Sequence, residues 1–284
     1  MDPRSSRPLI DVLMCVGERD VHHLMAGSLR SCIANFTMLN KVVIVTSAKA
    51  DVLSVLDQAD FARLGIKVLD DCEVLPASMF DWPGWCKQQY IRLHADLICE
   101  TPTVACLSAD TLIFKPVIRE HLFRGPRPIL FYNRYPHTRK HLIYERRRVK
   151  HIARILGVRP ERSWRLGDFI MDLTLFESGR LRELRQYLTG LYGNEPFLRI
   201  LPRRCDTLEE KGTFGEWTLY AVFLLDVLKA RPPMKNSMNR FIAQVHSGKE
   251  LVDFRFDTHV VHFVDKSFDA TQILARLAEA MRPV

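Results

Sequence analysis

The chain has 284 residues, 47% hydrophobic and 26% charged, which is enough apolar material for a sizeable core and argues against a largely disordered chain. A net charge of +8 and a pI near 9.2 favour anionic partners: nucleotide diphosphates, phosphorylated acceptors, nucleic acid or an anionic membrane face. No stretch of about 18 uncharged apolar residues occurs, which argues against a helical membrane span. The seven cysteines include no CxxC pair, which argues against a zinc ribbon or disulfide scaffold and for a reducing compartment.

The polar, basic residues 1–8 precede an apolar run, Leu9 to Val16, that is broken by Asp11 and too short to span a bilayer. It reads as the first strand of a cytoplasmic protein, with Ile10–Val16 buried on both faces. Val21–Asn35 carries Val21, Leu24, Met25, Leu29 and Ile33 at helical spacing. Val42–Thr46 predicts a second strand, Ala50–Arg63 a helix ended by Gly65, and Ile66–Leu69 a third strand. Gly84–Cys99 predicts a helix, Thr103–Leu107 a fourth strand, Leu112–Phe114 an extended piece, and Ile129–Tyr132 a return to the sheet. Further on, Arg139–Leu156 is a strongly basic helix, Phe169–Phe176 a buried strand and Arg180–Tyr192 a helix. Phe214–Lys229 is another helix, His259–Val264 a late strand and Ala270–Met281 a closing amphipathic helix. Strands alternating with helices give an α/β fold: a mainly parallel sheet flanked by helices. With no clear linker, one continuous domain is expected, residues 9–130 forming a nucleotide-binding half and 131–284 a smaller acceptor-side and closing half.

Val104-Ala105-Cys106-Leu107-Ser108-Ala109-Asp110 takes an apolar strand directly into a carboxylate. Ligands of open α/β sheets sit at such carboxyl ends. There Asp110 can hold a divalent cation that bridges a diphosphate, or simply cap the strand end. The segment resembles the DxD motif of GT-A glycosyltransferases, with Ser108 in place of the first Asp. Tyr90-Ile91-Arg92-Leu93 resembles the Tyr-any-Arg-Leu segment of the glycogenin-like and bacterial galactosyltransferase group. Trp85 with Gln88-Gln89 is similar to a set of bacterial proteins regarded as GT-A transferases. His262 and Lys266 in His259-Val260-Val261-His262-Phe263-Val264-Asp265-Lys266 partly match that group's late His…Lys segment, four residues apart without its Gly and Pro.

The resemblance implies a GT-A (Rossmann-like) fold and transfer of a sugar from a UDP- or GDP-linked donor, assisted by Mn²⁺ or Mg²⁺. It implies Asp110 and His262 as metal ligands. On the donor it implies Val16, Gly17, Asp20, Gln89, Arg92, Ser108, Ala109, Asp110 and Lys266. Asp20 reads equally as a helix N-cap, and a lone His on an apolar strand as a core residue. Asp172, interrupting the apolar run 169–176, needs partners or a function, such as gripping sugar hydroxyls. Glu216, in Phe214-Gly215-Glu216-Trp217, is a candidate general base at a helix start, where plain dipole complementarity also suits it. The acceptor expected is a carbohydrate, natural product or phosphorylated molecule.

The segments His137–His141 and Tyr144–His151 form the densest positive patch. A solvated helix face, a phosphorylated acceptor, nucleic acid and an anionic lipid surface all fit it. Peripheral contact with an anionic membrane is thus one outlet, whereas no nucleic-acid-binding module is recognisable and no nucleic-acid partner is expected. The alternatives to sugar transfer are a nucleotidyltransferase on a related sheet, for which Gly17-Glu18-Arg19 is a poor triphosphate loop, and a basic nucleic-acid-binding protein. No GxGxxG or GxxxxGK[ST] occurs, which argues against a dinucleotide fold and a P-loop.

Overall fold

Strand β1, Ile10–Val16, is buried along its whole length. Successive side chains of a strand point to opposite faces, so an uninterrupted apolar run needs cover on both. The protein, described by a computed structural model over residues 9–21, 25–57, 65–133, 139–169, 173–203, 213–236, 242–245 and 259–263, supplies that cover. The strands β2 (Leu39–Thr46), β3 (Ile66–Asp70) and β4 (Thr103–Ser108) join β1 in parallel. Thr111–Ile113 forms β5, Leu130–Tyr132 β6 and Leu173–Glu177 β7. The central sheet has the order β3-β2-β1-β4-β7, with β7 antiparallel to β4.

On one face Leu13, Cys15, Val43, Val45, Val104 and Cys106 pack under helices α3 (Gly84–Leu93), α5 (Arg139–Ile155), α7 (Ser178–Tyr192) and α8 (Glu216–Val222). On the other, Val12, Met14, Val16, Val42, Ile44, Ala105 and Leu107 pack under α1 (Ala26–Asn35) and α2 (Lys49–Asp57). The period-2 exchange of Leu13 and Cys15 against Val12, Met14 and Val16 fixes the strand register.

The structure departs from the sequence pattern in several places. Residues 84–99 form two helices, because His94 (φ −109°, ψ 17°) leaves the helical region and Ala95–Ile98 starts afresh as α4. Ile129–Tyr132 does not rejoin the central sheet. Its strand β6 pairs in parallel with β8, Met234–Asn236, in a small sheet of its own. The strand expected over 169–176 is described from Leu173 on, as β7, and the helix over 214–229 is α8 followed by a wider π turn, Phe223–Val227. Another small sheet joins β9 (Ile242–Val245), β10 (Val260–Phe263) and β5. Helix α2 is described to Asp57, and the helix expected over 270–281 lies outside the described residues.

Polar anchors hold the second layer. Asp226, 2% exposed, accepts hydrogen bonds from Arg162 N (2.9 Å), Ser163 N (3.3 Å) and Ser163 Oγ, fixing the start of α6, Ser163–Leu166. Arg185 of α7 donates to both carboxylate oxygens of Asp96 in α4, at 3.1 and 2.5 Å. Cys15, Cys32, Cys72, Cys86, Cys99 and Cys106 are free thiols; Cys205 lies outside the described residues. Among the described residues no helix is long and apolar enough to cross a membrane.

Candidate active site

Strand β4 ends at Ser108, whose backbone is in register with Cys15 near the carboxyl end of β1. The turn Ala109–Asp110 then leads into β5. Helix α1 clamps this turn from below: Ser28 Oγ donates to Thr111 O at 2.6 Å and to Ser108 O at 3.3 Å. Ala109 is buried, and Asp110 is half-buried with Oδ1 shielded from solvent. A small residue at 109 lets the chain turn against α1 without a side chain in the way.

Strand β10 runs antiparallel to β5 with His262 opposite Thr111. Backbone pairing therefore brings His262 to the strand position beside Asp110, two elements that are 152 residues apart in sequence (262 − 110). Lys266 and Asp172 lie outside the described residues.

On the opposite side of Ser108 lies a buried polar cluster. Arg92, 6% exposed, comes from α3, and Glu216, 1% exposed, starts α8. Arg92 Nη1 donates to Glu216 Oε1 at 2.8 Å, and Nη2 reaches Ser108 Oγ at 3.4 Å. Glu216 N donates to Gln89 Oε1 at 2.8 Å. The Arg92 guanidinium lies 4.9 Å from the Trp217 ring centroid. Burial opposes the charge on Arg92, but the charge and hydrogen bond of Glu216 together with the neighbouring Cys15 and Cys106 outweigh it, and the guanidinium pKa is raised. Beneath it, burial pushes the Cys15 thiol up to about 11, so Cys15 and Cys106 serve as neutral floor rather than nucleophiles.

Four residues singled out in the sequence therefore meet: Gln89, Arg92, Ser108 and Glu216. Their contacts give two of them a structural duty within the cluster. Gln89, expected on the donor, is 3% exposed and occupied with the first backbone N–H of α8. Glu216, expected as a general base, is sealed from water and bound to Arg92. A base must reach the proton that it removes, and this carboxylate instead anchors the cation.

Val16 and Gly17 line a cavity of about 210 Å³ at the carboxyl ends of β1 and β2, with Thr46, Ser47, Asp71, Gly84, Lys87 and Gln88 among its walls. Gly17 has an ordinary extended backbone (φ −80°), and an added Cβ would meet only Asp20 Oδ2, at 3.5 Å. The backbone conformation thus does not demand glycine; an open approach to the cavity does explain it. Asp20 is buried inside the turn Glu18–Asp20, so it does not cap a helix beginning at Val21. Lys87 Nζ and Asp71 Oδ2 pair at 3.2 Å across the rim. Lys87 and Asp71 were not among the expected site residues. For Asp71 the signal was available in principle, since it directly follows β3, as Ser47 follows β2.

A larger hollow of about 710 Å³ lies at edge strand β3, against α3 and α7, with Tyr90, His94, Arg185 and Glu195 in its lining. Neither hollow is lined by the Arg92–Glu216 cluster or the Ser108–Asp110 turn, and the position at the strand carboxyl ends favours the smaller one as the site.

The model of a protein family described as a family of unknown function, DUF6492, matches residues 18–253. The chain belongs to this family. No curated protein matches its sequence. Among solved structures, the galactosyltransferase LgtC in complex with donor and acceptor sugar analogs aligns with a TM-score of 0.51 and 12% identity, covering 97% of both chains. An active-site mutant of LgtC aligns at 0.49 and 12%, again over 97% of both chains. The bifunctional glycosyltransferase WbbM aligns at 0.48 and 9%, over 95% of this chain and 49% of its own. At these identities the likeness is one of fold: this DUF6492 chain has the GT-A-type sheet, with its cavity and the Ser108–Asp110 turn at the strand ends where that architecture places ligands.

Proposed function

We propose that this DUF6492 chain is a glycosyltransferase that moves a sugar from a nucleotide-diphosphate donor, UDP- or GDP-linked, to a hydroxyl-bearing acceptor. The observation that carries the reading is the meeting of Arg92, Glu216 and Ser108 beside Asp110, at the carboxyl ends of β1 and β4. That LgtC was solved with donor and acceptor sugar analogs supports the same reading.

Val16, Gly17 and Asp20 would receive the nucleoside in and beside the 210 Å³ cavity, with Lys87 at its rim. Asp110 would be the oxygen ligand of a Mn²⁺ or Mg²⁺ ion, with His262, on the strand paired with β5, as the nitrogen ligand. Such a cation supplies neutralisation of the departing diphosphate. Arg92 contributes a positive charge whose direction Glu216 fixes before the donor arrives, so little reorganisation remains at the moment of transfer. Lys266 belongs to the diphosphate in this reading, and Ser108 and Ala109 to the donor's sugar side. Asp172 is assigned to the acceptor hydroxyl. The acceptor is a carbohydrate, natural product or phosphorylated molecule.

A thermal-shift panel of nucleotides tests this. UDP or GDP with Mn²⁺, at a hundredfold excess over Kd, is expected to raise Tm by about 5 °C or more. Asp110→Ala should remove the Mn²⁺-dependent part of that rise. No shift with any nucleotide, with or without metal, would overturn the proposal.

A further inference from the structure

The basic helix α5 has two different faces. Val149, Ile152 and Ala153 enter the core, and Arg148 turns inward against Gly215, where an added Cβ would lie 3.3 Å from Arg148 Cδ. The outward face carries Ile143, Arg146, Arg147, Lys150 and Arg154, all exposed. Ile143, Arg147, Lys150 and Arg154 follow the i, i+4, i+7, i+11 ridge of a helix and so form one stripe. Of the acidic residues between 143 and 165, Glu145 is buried, while Glu161 is exposed and sits 3.5 Å from Lys229. The stripe therefore has no anion of its own along α5. Burial first, and then the neighbouring charge of Arg154, lower the pKa of His151, as expected on a surface already rich in cations.

Beside the stripe stands Trp164, 37% exposed, at the start of α6. Arg146 lies 5.5 Å from its ring centroid. The turn that presents this indole is stiff: Ser163 is fully buried, and Asp226 takes hydrogen bonds from the backbone N–H of both Arg162 and Ser163. A large aromatic held outward on an anchored turn, next to a continuous cationic stripe and the exposed Ile143, has the composition of an interfacial surface. Solvation alone explains exposed arginines, but not an indole fixed among them.

We propose that the outer face of α5 with Trp164 docks on an anionic membrane surface, with Arg147, Lys150 and Arg154 meeting lipid phosphates and Trp164 and Ile143 entering the headgroup layer. The cations account for the attraction and the two apolar side chains for retention at higher salt. Arg148 on the same helix packs against the residue before Glu216, so the docking face lies on a helix that abuts α8 at the candidate active site. The proposal stands apart from the reading of the site, since it needs neither nucleotide nor metal.

Vesicle co-sedimentation of the full chain separates the outcomes. Binding is expected to phosphatidylcholine vesicles containing about one third phosphatidylglycerol, weak or no binding to phosphatidylcholine alone, and a decline with rising salt. The double variant Arg147→Glu with Lys150→Glu should weaken partitioning by about tenfold or more. Trp164→Ser should retain the low-salt attraction and lose the salt-resistant part. Both variants replace exposed side chains, and an unchanged thermal melt checks that they fold. Equal binding to both vesicle types, binding that survives the charge reversal, or binding of an oligonucleotide in place of anionic vesicles would each overturn the assignment.

Discussion

Replacing Glu216 with Ala should destabilise the protein by about 3–5 kcal/mol, the range for removing one partner of a buried ion pair. The reason is what it leaves behind. Arg92 is 6% exposed and would keep its charge, left with the neutral Ser108 Oγ at 3.4 Å and the Trp217 ring at 4.9 Å in place of a carboxylate. Gln89 would still cap the α8 backbone, so the helix start itself should survive. Glu216→Gln keeps an acceptor of the same shape and should cost less. The informative variant is the double replacement, Arg92→Met with Glu216→Leu. Buried pairs exchanged for apolar residues of similar size often lose little stability, so urea unfolding should place the double variant near the parent. Its sugar-nucleotide turnover should nonetheless fall by roughly 10²–10³, the cost of deleting one preorganised electrostatic group. A Glu216→Ala protein as stable as the parent would refute the buried-pair account. Full turnover in the double variant would remove Arg92 from the site.

Much of this arrangement was legible one strand at a time. Apolar runs such as Ile10–Val16 and Val104–Leu107 announce strands covered on both faces, and a carboxylate at the end of such a run marks where ligands gather. Arg92, Ser108 and Glu216 could be picked out by residue type and order. Their partnership could not. Arg92 and Glu216 are 124 positions apart, and nothing local in either segment says that one carboxylate will be consumed in holding the other's charge. That is why Glu216 read as a base. Gln89 read as a ligand contact for the same reason, since its service to the α8 N-terminus exists only once the two helices touch. The parting of β6 from the central sheet was equally hidden, because a three-residue apolar strand has the same pattern in either sheet. The break at His94 escaped because Tyr90, Leu93, Leu97 and Ile98 keep helical spacing across it, while the imidazole Nδ1 meets Tyr90 O at 2.9 Å.

A second large effect should appear as a pH dependence centred on Glu145. This residue is buried and faces Asp168, while Arg148 Nη1 stands 2.6 Å from Glu145 Oε2 and 3.5 Å from Asp168 Oδ1. One guanidinium thus serves two carboxylates. Burial, and then the Asp168 charge, raise the Glu145 carboxyl from the ordinary 4.5 to about 9, with Arg148 opposing the rise. The sign follows from the raised value. Below about pH 4.5 both the folded and the unfolded chain hold the proton, and the full stability is present. As pH climbs from there, the unfolded chain releases its proton and the folded chain does not, so stability falls by up to about 1.4 kcal/mol per pH unit. The decline should level off above about pH 9, where both forms are ionised. Glu145→Gln imitates the protonated form: its amide can donate towards Asp168 while its carbonyl accepts from Arg148. Urea unfolding at intervals from pH 5 to 9 should therefore be flatter for this variant than for the parent, with the gap widening towards alkaline pH. If the two proteins show the same slope, Glu145 is ionised in the fold and Arg148 balances both carboxylates unaided. If the slope differs as expected, the Glu145 carboxyl is held protonated in the fold, beside the Arg148 side chain that packs against Gly215.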